Sequence, residues 1–201
     1  MKNTTLRGLF AASLLLVSSS AFAQDGSTSN ASISANAKVL QPVIVTAVQS
    51  LEFGNVTPNN VKAISVTGDV VVGIAGADNE AERQGIFNIT KGTGSEVLLS
   101  FALPSVLNGD EAGNTGETLA ISFATDEDGI YAKLATNLAG DASALAWDPT
   151  ATILLANGGQ STQPYFVTNE FWVNLGGKIT PAAAQVQGNY TGTVTLTATY
   201  N

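Results

Sequence analysis

Five carboxylates in glycine-rich sequence, Asp110, Glu111, Asp126, Glu127 and Asp128, are the side chains whose type and spacing come closest to catalysis. A carboxylate pair can act as general acid and base in glycoside hydrolysis. Asp126-Glu127-Asp128-Gly129 also has a faint likeness to a calcium loop, yet it lacks the spaced ligands and terminal glutamate of an EF-hand. Acids in turn-like sequence are normally solvated, so these residues are expected to be neither catalytic nor metal-binding. Trp147, Phe166, Phe171 and Trp172 offer a different chemistry, an aromatic platform for carbohydrate, but a sandwich core draws on the same side chains and is the favoured expectation. The chain contains no histidine and no cysteine. This removes Ser-His-Asp and Cys-His nucleophile systems, thiolate or imidazole zinc sites, and histidine-ligated haem. A non-enzymatic protein without a cofactor is expected.

The elements that would carry any site read as short strands. Period-two or extended patterns fall near residues 43–47, 61–67, 70–74, 86–90, 96–103, 118–124, 152–155, 165–175 and 190–200. Between them lie turn clusters such as Gly54-Asn55, Asn108-Gly109-Asp110, Gly113-Asn114 and Asn157-Gly158-Gly159. Many short strands and little amphipathic helix predict an all-β antiparallel sandwich. Residues 132–146 are rich in Ala and Leu, but Gly140 and Asp141 interrupt them, so a loop-like insertion with one helical turn is expected there.

The last strand has the strictest pattern. Val194, Leu196, Ala198 and Tyr200 fall on one face, and Thr193, Thr195, Thr197 and Thr199 on the other. Alternation of this kind reports one buried face without saying what covers it. The segment is either the last strand of a finished sandwich or an edge that another chain completes. Near the other end, Ala31, Ile33, Ala35, Ala37 and Val39 alternate with Ser32, Ser34, Asn36 and Lys38, a second period-two strand that Pro42 ends or bends.

Residues 1–23 have the three parts of a secretory signal. Lys2 and Arg7 give a positive start, residues 9–17 an apolar run too short to span a bilayer, and Ala21-Phe22-Ala23 a cleavage site before Gln24. Export out of the cytoplasm is expected, with no membrane insertion of the mature chain. Residues 24–42 then read as a flexible extension holding the candidate strand, and residues 43–201 as the sandwich domain. The full chain has 8 Lys+Arg and 16 Asp+Glu; removing Lys2 and Arg7 leaves 6 against 16, a net charge of −10. Such a surface disfavours nucleic acid, whose phosphates need basic partners, and equally disfavours anionic lipid. Asn30-Ala31-Ser32, Asn88-Ile89-Thr90 and Asn189-Tyr190-Thr191 fit the glycosylation sequon and are expected to be chance matches.

Three segments together resemble a secreted bacterial family, domain of unknown function 4402. They are Ala37-Lys38-Val39-Leu40-Gln41-Pro42-Val43-Ile44-Val45 leading into Leu51-Glu52-Phe53-Gly54-Asn55-Val56; Phe171-Trp172-Val173-Asn174-Leu175-Gly176-Gly177-Lys178-Ile179; and Gly188-Asn189-Tyr190-Thr191-Gly192 followed by Val194, Leu196 and Tyr200. That family is similar to the cysteine-free pilins of chaperone-usher fimbriae. The resemblance implies an immunoglobulin-like sandwich that is incomplete and is completed by a donor strand from a neighbouring subunit. It makes Ala31, Ile33, Ala35, Ala37 and Val39 the donor, and Gly188, Gly192, Val194, Leu196, Ala198 and Tyr200 the acceptor. The implied partners are copies of the chain or related subunits, together with a periplasmic chaperone. The rival expectation is a monomeric extracellular sandwich that binds carbohydrate or calcium.

Overall fold

The structure, a computed structural model, describes residues 29–73, 82–92, 96–124, 132–135, 145–155 and 170–201. The expected signal sequence, the calcium-like Asp126-Glu127-Asp128-Gly129 segment, Phe166 and the expected Asn157-Gly158-Gly159 turn lie outside these residues. The chain divides into two units, Met1–Lys38 and Val39–Asn201.

In the first unit, residues 29–38 carry no strand, and Ile33 is 94% exposed. The strand expected over residues 31–39 is thus not formed in this chain. Alternation supplies a face, but a strand also needs a neighbour to accept its ladder hydrogen bonds, and none is paired with it here.

In the second unit the described residues form fourteen strands and no helix. They are β1 (Ile44–Gln49), β2 (Lys62–Ile64), β3 (Val70–Val72), β4 (Gly85–Thr90), β5 (Val97–Ala102), β6 (Val106–Gly109) and β7 (Thr118–Ser122), then β8 (Ala132–Ala135), β9 (Leu145–Trp147), β10 (Ile153–Leu155), β11 (Glu170–Leu175), β12 (Gly177–Thr180), β13 (Tyr190–Thr191) and β14 (Thr195–Tyr200). They pair antiparallel in three sheets, ordered β1-β4-β11-β8-β9, β10-β5-β14 and β13-β6-β7-β12-β2-β3. No sheet closes into a barrel among the described residues. The fold is an all-β antiparallel sandwich, as the strand pattern predicts.

One apolar cluster joins the sheets. Ile89, Phe171, Val173 and Leu175 come from the five-stranded sheet, Val97, Leu99, Leu155 and Leu196 from the three-stranded sheet, and Ile64, Leu119, Ile121 and Ile179 from the six-stranded sheet. Phe101 ties two of these layers together, stacking on Trp147 with ring centroids 5.0 Å apart and meeting Phe87 edge-on at 5.8 Å. Aromatic contacts of this geometry contribute about 0.5–1.5 kcal/mol each beyond simple burial.

Several strands differ from their expected form. Residues 132–135 and 145–147 pair as β8 and β9 instead of forming an insertion, because Ala132, fully buried between Leu175 and Trp147 in the register, is small enough for the core. Asn108 and Gly109 belong to β6, and the turn lies beyond them, where Asn114 accepts from the amide of Glu111 and Glu117 donates to Asn114. The long strand expected over residues 165–175 starts at Glu170 within the described residues. Beyond Leu175 the chain changes sheet at Gly176, where a Cβ would press within 3.1 Å of the Ser65 backbone. Residues 190–200 likewise split into β13 and β14, which belong to different sheets.

Candidate strand-acceptor edge

β14 is the last strand of the three-stranded sheet and pairs on one side only, with β5, from Thr195 opposite Ala102 to Tyr200 opposite Val97. Leu196 is 6% exposed and belongs to the core; Val194, Ala198 and Tyr200 are half-buried against it. Thr193, Thr195, Thr197 and Thr199 are all exposed. The face assignment therefore follows the period-two pattern residue by residue. Among the described residues the outer edge of β14 carries no partner strand, which leaves its outward N–H and C=O groups as a template for strand addition.

β1 ends the five-stranded sheet and comes close to β14 without forming a ladder with it. The two strands run in opposite senses. Phe101, opposite Leu196, packs against Phe87, opposite Ala47 of β1; at the far end, Tyr200 reaches the residues around the start of β1. Val43 and Val45 are half-buried from the β1 side, as Ala198 and Tyr200 are from the β14 side. Among the described residues, two edges without a ladder partner thus flank partly covered aliphatic side chains.

Tyr200 closes one end of this margin. Its hydroxyl donates to the carbonyl of Gln41 and accepts from the amide of Gly92 at 3.1 Å, while the Asn201 amide donates to Glu96 at 3.2 Å. Lys91 beside it is 3% exposed, and burial pushes its ammonium below the ordinary lysine range. Gly92 leaves little room, since a Cβ there would lie 3.2 Å from Gln41 and 3.4 Å from the Tyr200 hydroxyl. Tyr200→Phe removes both hydroxyl hydrogen bonds and leaves the exposed Gln41 carbonyl and the buried Gly92 amide without their partner. An expected loss of about 1–2 kcal/mol should appear as a lower urea midpoint at unchanged slope.

Gly188 and Gly192 lie outside β14. Gly188 has φ +143°, and a Cβ there would stand 2.5 Å from Asn114 Nδ2. At Gly192 the near atom is Leu107 Cδ2, 2.6 Å away, the end of a side chain that can move. Asn114, 1% exposed, explains the first of these approaches. Its Oδ1 accepts from the Glu111 amide at 2.9 Å, its Nδ2 donates to the Asn189 carbonyl at 2.7 Å, and Asn189 Nδ2 donates to Glu111 Oε1 at 2.6 Å. Tyr190 donates back to the Val186 carbonyl at 2.6 Å and accepts from Gln185 at 2.8 Å. The Gly188-Asn189-Tyr190 sequence is therefore a fastening between the β6–β7 turn and β13. Sequence reasoning singled out Gly188 but missed Asn114, whose only signal was its place beside Gly113 in a turn cluster.

Of the residues considered for chemistry, Glu111 is engaged with Asn189, and Asp110 donates its amide to the Asn189 carbonyl at 3.2 Å. Asp126, Glu127 and Asp128 fall outside the described residues, and no group of three or more metal-ligating side chains occurs among those described. Asp148 accepts from the Thr150 hydroxyl and amide, which hold its carboxyl below the usual range despite a small opposing effect of burial. Trp147 and Phe171 are core residues, whereas Trp172 is half-exposed on the opposite face. Among the donor residues, Ala31, Ile33, Ala35, Ala37 and Val39 are all exposed. No helix of the described residues is long and apolar enough to cross a membrane. No protein-family model matches the chain, and no curated protein matches it.

Proposed function

We propose that this protein is an exported, non-enzymatic structural subunit of a fimbria-like surface fibre, polymerising by donor-strand exchange. Residues 31–39 of one copy add to the outer edge of β14 in the next, in an immunoglobulin-like sandwich that lacks a strand. The observation that carries this reading is the margin between β14 and β1: two unpaired edges beside half-buried Val45, Ala198 and Tyr200. The donor supplies the complementary need. Ile33 and Val39 are each 94% exposed, on a segment that alternates with polar residues and has no ladder partner.

Strand addition answers both deficits at once. The added backbone satisfies edge amides and carbonyls, and alternate side chains fill the apolar margin. Burying Ile33 and Val39 contributes about 3–6 kcal/mol, with the three alanines adding less. Donor and acceptor are different surfaces of one molecule, so the contact is heterologous and propagates as a fibre. A periplasmic chaperone would cover the same edge before assembly. The signal sequence, the acidic balance and the lack of histidine and cysteine agree with an exported, non-catalytic role.

Deleting residues 24–40 tests the assignment. The truncated domain should form no fibres and should gain thermal stability when a peptide of residues 30–42 is added, in proportion to its concentration over its dissociation constant. The same peptide carrying Ile33→Arg should fail, because the guanidinium would enter an apolar margin without a counter-charge. A truncated protein that is stable and indifferent to the peptide, with a full-length chain that is monomeric, would overturn the fibre reading in favour of the self-contained binding module.

A further inference from the structure

We propose that the peptide bond between Lys38 and Val39 is a processing site for an endoprotease that cleaves after lysine or arginine, open in the free subunit and closed once the donor strand is docked. The site belongs to the free chain whatever it assembles into; its closure rests on the fibre reading.

Residues 24–201 hold six basic side chains: Lys38, Lys62, Arg83, Lys91, Lys133 and Lys178. An endoprotease takes its substrate as an extended strand, so backbone already held in a ladder or buried must first open locally. Five of the six are in that position. Lys62, Lys133 and Lys178 lie in β2, β8 and β12, strands that are paired on both sides. Arg83 exchanges two backbone hydrogen bonds with Glu52, at 2.9 and 3.0 Å. Lys91 is 3% exposed, and the Tyr200 hydroxyl holds the amide of Gly92 after it.

Lys38 differs in each respect. Residues 29–40 are exposed and carry no strand, and Val39 on the far side of the bond is 94% exposed. The boundary between the two units falls at the same bond, Met1–Lys38 before it and Val39–Asn201 after it. The specificity pocket of such a protease carries an aspartate for the substrate cation, which a carboxylate beside the lysine would oppose. This acidic chain has none between Asp25 and Glu52. In the cleavage, water adds across the amide: the bond from the Lys38 carbonyl carbon to the Val39 nitrogen breaks, leaving a carboxylate on Lys38 and an ammonium on Val39. Ala31, Ile33, Ala35 and Ala37 depart with the released piece. Residues 39–201 keep β14 and the Gln41–Tyr200 contact, so the product can accept a strand but has none to give. Growth of a fibre through that subunit ends there. A docked donor is itself part of a ladder and is shielded as the other five positions are.

Limited digestion of the exported chain with trypsin, followed by intact mass, tests the site. One early cut is expected, giving residues 39–201, with Lys38→Gln slowing the first cut at least about tenfold and Arg83→Gln leaving it unchanged. First cutting after Arg83 or any other basic residue, or an unchanged rate in Lys38→Gln, would overturn the site. Assembled fibres should lose the donor at least about tenfold more slowly than free subunits. Equal rates would overturn the closure while leaving the fibre reading intact. A chain cut at Lys38 that forms no fibres would overturn the fibre reading and the closure with it, leaving the site.

Discussion

Leu196→Asp should abolish accumulation of folded protein, whereas Thr197→Asp one residue away should leave stability within about 0.5 kcal/mol of the parent. Leu196 is 6% exposed, sits opposite Phe101 in the ladder and belongs to the central apolar cluster. A carboxylate at that position would be taken out of water without a cation or donor facing it, and would lose the leucine's own burial, about 1.5–3 kcal/mol. The sum is of the same order as the whole stability of a typical domain, about 5–15 kcal/mol. Thr197 is exposed on the opposite face, where a carboxylate stays hydrated. Soluble yield and thermal melting of the two variants are the measurements. Normal behaviour of Leu196→Asp, or collapse of Thr197→Asp, would mean that β14 is displaced by one residue, since a shift of one exchanges every side chain between faces.

That prediction could be made from the chain alone, because residues 193–200 alternate without a break and one buried face is what period two reports. The edge position of β14 was not legible in the same way. Nothing in Thr195–Tyr200 distinguishes a strand paired on both sides from one paired on one side; that depends on which distant segments reach it. The same limit explains the other differences. Val106–Gly109 looks like the approach to a turn because Asn and Gly end it, yet β7 on one side and β13 on the other hold it as a strand. Residues 132–135 look like loop or helix because alanine has low strand propensity, but a central position between Leu175 and Trp147 overrides that preference. The strand expected to end at Leu175 does end there, whereas β12 beyond it was not expected, because the change of sheet at Gly176 depends on the close approach of Ile64 and Ser65.

The candidate site was legible in proportion to how local its signal was. The buried face of β14 was read from alternation, and Tyr200 from its position at the end of an apolar face. The hydroxyl contacts of Tyr200 to Gln41 and Gly92 join residues far apart in sequence, so no spacing could announce them. Trp172 and Trp147 were indistinguishable as aromatic candidates for the core. The register separates them, sending Trp147 to the core and Trp172 outward.

Lys62 is the residue that alternation misleads most, and it carries the second large effect: Glu82→Ala should destabilise the domain by about 3–5 kcal/mol. In the sequence Val61-Lys62-Ala63-Ile64, a lysine reads as the solvent face of a strand. β2, however, lies between β12 and β3, and all three of its residues are buried. The Lys62 side chain is 2% exposed; its ammonium meets Glu82 Oε1 at 2.6 Å and donates to the Asn55 carbonyl at 3.0 Å, with Glu82 itself 12% exposed. Removing the carboxylate leaves a desolvated ammonium with only a neutral carbonyl beside it. The neighbouring pair provides the contrast. Arg83 and Glu52 are 3.4 Å apart with side chains 46% and 48% exposed, so Glu52→Ala removes a solvated contact that contributes about 0–1 kcal/mol. Urea unfolding should therefore show a large drop in midpoint for Glu82→Ala and a small one for Glu52→Ala. The first loss should persist in high salt, because a buried pair is poorly screened. The double variant Lys62→Met/Glu82→Leu should recover most of the stability, since removing both charges also removes the cost of burying them. A Glu82→Ala variant with the parent's midpoint would show that Lys62 reaches water and that β2 is not the covered strand the ladder makes it.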